Sequence, residues 1–251
     1  MKNFMLAAAL LALSTVGTAY AENDKSVVLV HGAFADGSSW NRVIEKLQSR
    51  NIDVIAVQLP LTSLQDDVAA TRRAIARAHG DVVLVGHSWG GTVISEAGND
   101  ARVKALVYVA AFAPADGQST AELADSFPAP PGSTGIAKTA SGFLYLPPAS
   151  VARDFAQDLP PTEQHILTAT QGPIRAAAFG DKVTHAAWKQ KPSWFVVSAD
   201  DRMINPDLER AMAKTIHARV TTVTASHVSM LSQPDTVAQV ITQAVDKLDA
   251  H

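Results

Sequence analysis

The chain has 251 residues, a length that a single hydrophobic core can serve. Its residues are 47% apolar and 18% charged, and its formal net charge is −3; this is the composition of a globular enzyme, and it offers no basic field to hold a nucleic acid. No cysteine is present, which excludes disulfides, Cys-based metal sites and a Cys nucleophile, so stability must come from the core.

Lys2, the apolar run Phe4 to Leu13 and the small-residue site Ala19-Tyr20-Ala21 have the pattern of a secretory signal. Residues 1–21 are therefore expected to be a signal peptide, with export to the periplasm or medium after cleavage following Ala21 and Glu22 as the mature start. The competing reading is an anchor that stays attached, but the run is short for a membrane span.

From there short β-branched runs alternate with helical patterns. Val27 to Val30, Asp53 to Val57, Val82 to Val85, Val103 to Val109, Trp194 to Val197 and Val220 to Val223 read as six strands. Several are apolar on both faces, as strands of a parallel sheet are when helices cover both sides. Leu64, Val68, Thr71 and Ile75 share one helical face, as do Val237, Val240, Ile241, Ala244, Val245 and Leu248. Pro206 and Pro234 each stand where a helix can begin, since the missing N–H costs nothing there. The alternation implies an α/β domain over residues 22–251, built on an open, mostly parallel sheet of about six strands with right-handed crossovers.

Residues 113–191 or so break the rhythm. They hold no clear apolar strand, are rich in Pro, Gly, Ser and Thr from Pro128 to Gly142, and then read as helices around Ala149 to Gln157 and Thr162 to Ala169. A stretch this long inside a domain reads as a mostly helical cap insertion over the C-terminal edge of the sheet, where open α/β folds bind ligands. A surface excursion without a role is the alternative.

Gly86-His87-Ser88-Trp89-Gly90, followed by Gly91, fits G-x-S-x-G. The pattern is weak alone, but here it follows a strand and precedes a helix, the setting of a nucleophile elbow. Glycines flank the serine because bulky neighbours would collide in so sharp a turn, and the helix then aims its N-terminus at developing negative charge. A bland helix N-cap is the other reading of Ser88. The loop His31-Gly32-Ala33-Phe34 after the first strand can offer a backbone N–H to an oxyanion, Ala33 before Phe34, with the N–H of Trp89 as second donor.

His227, just after the last strand, stands where a general base comes in this chain order. Of the other histidines, His31 and His87 lie inside the two motifs, where packing and hydrogen bonding explain them. For the acid, Asp200 and Asp201 compete after the fifth strand and Asp116 after the fourth. No His/Asp/Glu set has metal-ligand spacing, no phosphate loop or dinucleotide fingerprint is present, and no cofactor is expected.

On these residues the chain resembles the small bacterial α/β-hydrolases of the esterase and methylesterase type, a group that also includes plant hydroxynitrile lyases and salicylate-binding esterases. The likeness runs from about residue 26 to the end. It is close at His31-Gly32-Ala33, at the elbow, at Asp201-Arg202 followed by Pro206, and from Ser226-His227-Val228 through Ser232-Gln233-Pro234-Asp235, and loose in the insertion. It implies the α/β-hydrolase fold, Asp201 as the acid, and Ala33 and Trp89 as oxyanion donors. Relatives with lyase activity carry a lysine directly after the histidine; Val228 stands there in this chain.

The expected reaction is hydrolysis of a small or medium ester of apolar character by a Ser88–His227–Asp201 triad through an acyl-enzyme. Phe112, Phe127, Phe143, Tyr145, Trp188 and Trp194 are candidates for apolar walls. The rivals are another reaction on the same triad, such as perhydrolysis or cofactor-free C–C chemistry, and a non-catalytic ligand-binding module on the same scaffold. Neither a nucleic-acid partner nor a stable membrane anchor is expected, and the sequence leaves the oligomeric state open.

Overall fold

A computed structural model describes residues 25–248. The signal-peptide reading of residues 1–21, and the cleavage site with it, lies outside the described residues. Six strands form one parallel sheet: β1 (Lys25–Val30), β2 (Asp53–Ala56), β3 (Asp81–Ser88), β4 (Val103–Ala111), β8 (Ser193–Ser198) and β9 (Arg219–Val223), in spatial order β2-β1-β3-β4-β8-β9. These are the six apolar runs of the sequence, extended by a residue or more at several ends. The central strands are buried at nearly every residue, which explains why they read as continuous apolar runs rather than alternating ones. At the edge, β9 is mostly exposed and Val220 faces solvent.

Helices cover both faces. Helix α1 (Asn41–Gln48) packs on α9 (Pro234–Lys247), and α9 lies against β3, β4 and β8. On the other side α2 (Leu64–Arg77) packs on α3 (Trp89–Ala97), which lies against β1, β3 and β4. The expected apolar faces are the buried ones: Leu64, Val68, Thr71 and Ile75 in α2, and Val237, Val240, Ile241, Ala244 and Val245 in α9. Pro206 opens α7 (Pro206–Thr215), with Asn205 accepting the Asp207 N–H as its cap, and Pro234 opens α9.

Between β4 and β8 the chain forms short pieces: α4 (Thr120–Ala124), closed by a Ser119/Glu122 capping box, α5 (Pro148–Ser150), a π turn over Val151–Phe155, and α6 (Pro161–Thr170). Among them β5 (Ala137–Lys138), β6 (Phe143–Tyr145) and β7 (Ile174–Arg175) pair as a small antiparallel sheet. The sequence contains no visible strand here because two- and three-residue strands are too short to show a period of two. The helix expected over Ala149 to Gln157 is a single α turn followed by the π turn, and α8 (Ser229–Ser232) is a further single turn after β9. No helix among the described residues is long and apolar enough to cross a membrane.

The strand order reverses between β1 and β3. Loops leaving these two neighbours diverge at their C-terminal ends and open a crevice there. The two glycine-bearing motifs of the sequence are those two loops.

Candidate active site

Ser88 ends β3 and stands at the head of α3 with φ +53° and ψ −122°, a conformation costly for a residue with a Cβ. Its side chain makes no cap hydrogen bond to the helix, so the N-cap explanation of this serine lacks its bond. The turn is possible only because its neighbours lack side chains. A Cβ added to Gly91 would fall inside the Phe112 carbonyl oxygen and 2.8 Å from Ala111 Cβ. A Cβ on Gly32 would lie 2.6 Å from Ser88 Cβ, so the loop after β1 is pressed directly against the serine.

That loop carries the candidate oxyanion donors. The Phe34 N–H donates to the Gly172 carbonyl at 3.2 Å and is thereby engaged. This leaves Ala33, adjoining the serine, and the Trp89 N–H at the first turn of α3, where helical amides have no intrahelical acceptor. Two buried side chains hold this frame. His31 Nε2 accepts the Leu59 N–H at 3.0 Å, which places its proton on Nδ1, toward the Gly32 carbonyl at 2.8 Å. Burial holds the His31 pKa below the ordinary histidine value. Asp67, fully buried in α2, accepts the Trp89 Nε1–H at 2.7 Å and the Leu61 N–H at 2.8 Å. Burial outweighs those two bonds and raises its pKa to about 6.

His227 follows β9 and is 2% exposed. Its Nδ1 lies 2.6 Å from Asp201 Oδ2. Asp201 Oδ1 accepts the backbone N–H groups of Met203 (2.7 Å) and Ile204 (2.9 Å), so the carboxylate is fixed by a turn of its own loop. The rival acids are elsewhere. Asp200 is exposed, and Asp116 pairs with Lys189 at 2.7 Å and accepts the Ala186 N–H. Behind His227, the His87 ring lies with its centroid 4.7 Å away and donates Nε2–H to the His227 carbonyl at 2.9 Å. Burial and the neighbouring His227 keep His87 well below the ordinary value, hence neutral. Phe155, from the segment between β4 and β8, also packs on His227, with ring centroids 5.4 Å apart.

Ser88 and His227 line one cavity of about 250 Å³ together with Ala33. Its walls are Phe34, Phe112, Ala121, Ala124, Ile136, Phe179, Met203 and Ile204, together with Thr120, Pro130 and Ser133, and include no Asp, Glu, Lys or Arg. Of the six aromatic residues expected as walls, only Phe112 takes part. Trp194 is in the core under the sheet, Phe127 packs against it, Trp188 donates Nε1–H to the Pro114 carbonyl, and Phe143 and Tyr145 belong to the small sheet. The walls the sequence reading missed come from five separate segments, which no local pattern links. Asp67 and His87 left only faint signals, a charge on an apolar helix face and a histidine directly before the elbow serine. Among the described residues no group of three or more His, Asp or Glu could hold a metal ion.

The alpha/beta hydrolase family profile matches residues 27–240. An alpha/beta hydrolase of Aspergillus novofumigatus, nvfD, is 28% identical over 243 residues, covering 87% of this chain and 96% of that protein. The solved pyrethroid hydrolase from Sphingobium faniae superposes with a TM-score of 0.77 at 22% identity, over 90% of this chain and all of that one. Polyneuridine aldehyde esterase superposes with a TM-score of 0.74 at 18% identity, over 88% of this chain and 98% of that one.

Proposed function

Since the chain belongs to the alpha/beta hydrolase family, we propose that it is a serine hydrolase that cleaves uncharged carboxylic esters of small to medium size. The observation that carries this reading is Ser88, strained and uncapped, sharing one cavity with a histidine whose far nitrogen is held 2.6 Å from a buried carboxylate. His227 takes the Ser88 hydroxyl proton onto its Nε2 as the Ser88 oxygen attacks the ester carbonyl. The Ala33 and Trp89 amides receive the oxyanion, and Asp201 stabilises the imidazolium and keeps the remaining proton on Nδ1. His227 then gives its proton to the departing alcohol. Water, deprotonated by the same nitrogen, releases the acid.

The cavity supports the substrate class. Its apolar walls match an alkyl or aryl group, and a charged substrate would be desolvated there without a counter-ion. Its volume of about 250 Å³ lies just below the usual range of ligand pockets, which favours small substrates. Two of the similar proteins bear the names pyrethroid hydrolase and polyneuridine aldehyde esterase, in keeping with ester chemistry on this frame. Export, with cleavage following Ala21, is part of the same proposal and rests on residues 1–21 alone.

The test is a fluorophosphonate probe together with a panel of neutral esters graded in acyl and alcohol size. Ser88 is expected to be the labelled residue, and Ser88→Ala to abolish both labelling and turnover. Equal labelling of the mutant, or no turnover of any ester by a folded, labelled parent, overturns the proposal.

A further inference from the structure

Glu209 in α7 is a charged residue type with no access to solvent: its exposure is 0%. One carboxyl oxygen, Oε2, accepts the Ser198 N–H at 3.1 Å. The other, Oε1, is buried and meets no N–H or O–H donor among the described residues. The charged group that acts most strongly on Glu209 is a second carboxyl group, that of Asp201, itself buried. Glu209 and the Asp201 backbone also meet on one residue, for the Asp201 N–H donates to the Ser198 carbonyl at 3.2 Å while the Glu209 carboxyl holds the Ser198 N–H.

Two buried carboxylates side by side do not both ionise; one keeps a proton and donates it to the other. The hydrogen bonds decide which. Asp201 receives three donors, from His227 Nδ1, Met203 N and Ile204 N, each favouring its anion. Glu209 receives one. Arg210, the cation nearest in its own helix, is turned outward in an ion pair with Asp207 and favours the Glu209 anion only weakly. The titratable and charged groups facing Glu209 are therefore Asp201 from the loop after β8, with His227 beyond it, and Arg210. Burial first, and the Asp201 charge second, hold Glu209 well above the usual carboxylate range.

We propose that Glu209 is a positioning residue for the triad: a neutral carboxylic acid whose O–H donates to the Asp201 carboxylate and fixes it against His227. This explains the partnerless oxygen, which is the hydroxyl oxygen of the acid. It also completes the surroundings of Asp201, whose four hydrogen bonds then leave the carboxylate one orientation. The donated bond draws charge from the carboxylate that faces His227. The inference rests on the reading of Asp201 as the triad acid.

Two variants and one spectrum test it. Glu209→Gln keeps an acceptor for the Ser198 N–H and offers an amide N–H to Asp201. Glu209→Leu keeps the bulk and removes both. Glu209→Leu should lower kcat by roughly tenfold or more, the lower end for a lost bond to a charged group. With Asp201 no longer drawn upon, the acid limb of its kcat/KM profile should move to higher pH. Glu209→Gln should recover most of the rate and keep the parent midpoint. Infrared spectra at neutral pH should contain a protonated-carboxyl band in the parent that is lost in Glu209→Gln; this readout needs no turnover, so it separates failure of this inference from failure of the proposed reaction. The inference is overturned if Glu209→Leu matches the parent in rate and midpoint, if Glu209→Gln loses as much as Glu209→Leu, or if the band is missing from the parent. Should Glu209→Leu not fold, the Glu209→Gln profile and the infrared band decide the matter.

Discussion

Asp201→Asn is nearly isosteric, and the structure dictates what it does. The position of Oδ1 faces two backbone donors, Met203 N–H and Ile204 N–H. Only the carbonyl oxygen of the asparagine can sit there, because the reverse orientation would leave two buried N–H groups opposed to an NH2, at about 1–3 kcal/mol each. The amide NH2 is therefore placed at Oδ2, 2.6 Å from His227 Nδ1. It can only donate, so Nδ1 must become the acceptor and the imidazole proton moves to Nε2, the nitrogen that takes the Ser88 proton in the proposed reaction. The imidazolium also loses its carboxylate. The expected loss of kcat reaches up to roughly 10⁴-fold, or about 5.5 kcal/mol of transition-state stabilisation. The assay compares turnover of one neutral aryl ester by Asp201→Asn, Asp200→Asn and Asp116→Asn, with folding verified by circular dichroism. Asp200 is exposed and Asp116 is spent on Lys189 and Ala186, so both variants should stay within about threefold of the parent, as surface changes away from the reacting groups do. A folded Asp201→Asn within tenfold of the parent, or a collapse of either control, would refute the orientation argument.

Two further outcomes follow from the same geometry and a third from the sequence of residues 1–21. Gly91→Ala should destabilise the fold by about 1–3 kcal/mol, because the new methyl meets the Phe112 carbonyl and cannot be accommodated by a side-chain shift; an unchanged urea midpoint contradicts this. Asp67, with its pKa raised to about 6, keeps in the folded state a proton that the unfolded chain has released, so its contribution to stability is whole below about pH 4, declines as pH rises to about 6 and is level above. An offset of that size is worth on the order of 3 kcal/mol, and the difference in unfolding free energy between the parent and Asp67→Asn should trace it across that window. Mass spectrometry of protein from the extracytoplasmic fraction of its native host should find Glu22 first, and an intact N-terminus confined to the cytosol would exclude export.

Much of the fold was legible because the information is local. A strand buried on both faces is an unbroken apolar run whatever surrounds it, which is why the six runs of the sequence are the six strands of the sheet. The faces of α2 and α9 repeat at helical spacing, and Pro206 and Pro234 mark where helices start. The elbow was legible for the same reason: strand, glycines, serine and helix all lie within about a dozen consecutive residues, and steric crowding at the turn constrains each of them.

Partner choice was not local. Asp200 and Asp201 are the same residue type side by side, and the sequence alone left them in competition until resemblance favoured one. What separates them in space is a turn that aims the Met203 and Ile204 amides at one oxygen and His227 at the other. The cavity walls draw Phe34, Ile136, Phe179 and Met203 from four segments, and the strands β5 to β7 exist only because distant residues pair them. Asp67 and Glu209 are charged residue types in two helices, and nothing in the sequence names the groups they meet, yet both are fully buried. Whether a carboxyl group faces water, an indole N–H or another carboxyl group depends on which element packs over it. The sequence determined the strands, the helix faces and the strained serine, because sterics and periodicity act between neighbours; the tertiary structure alone decided the partners of the buried charges, because those interactions act through space between residues the chain keeps far apart.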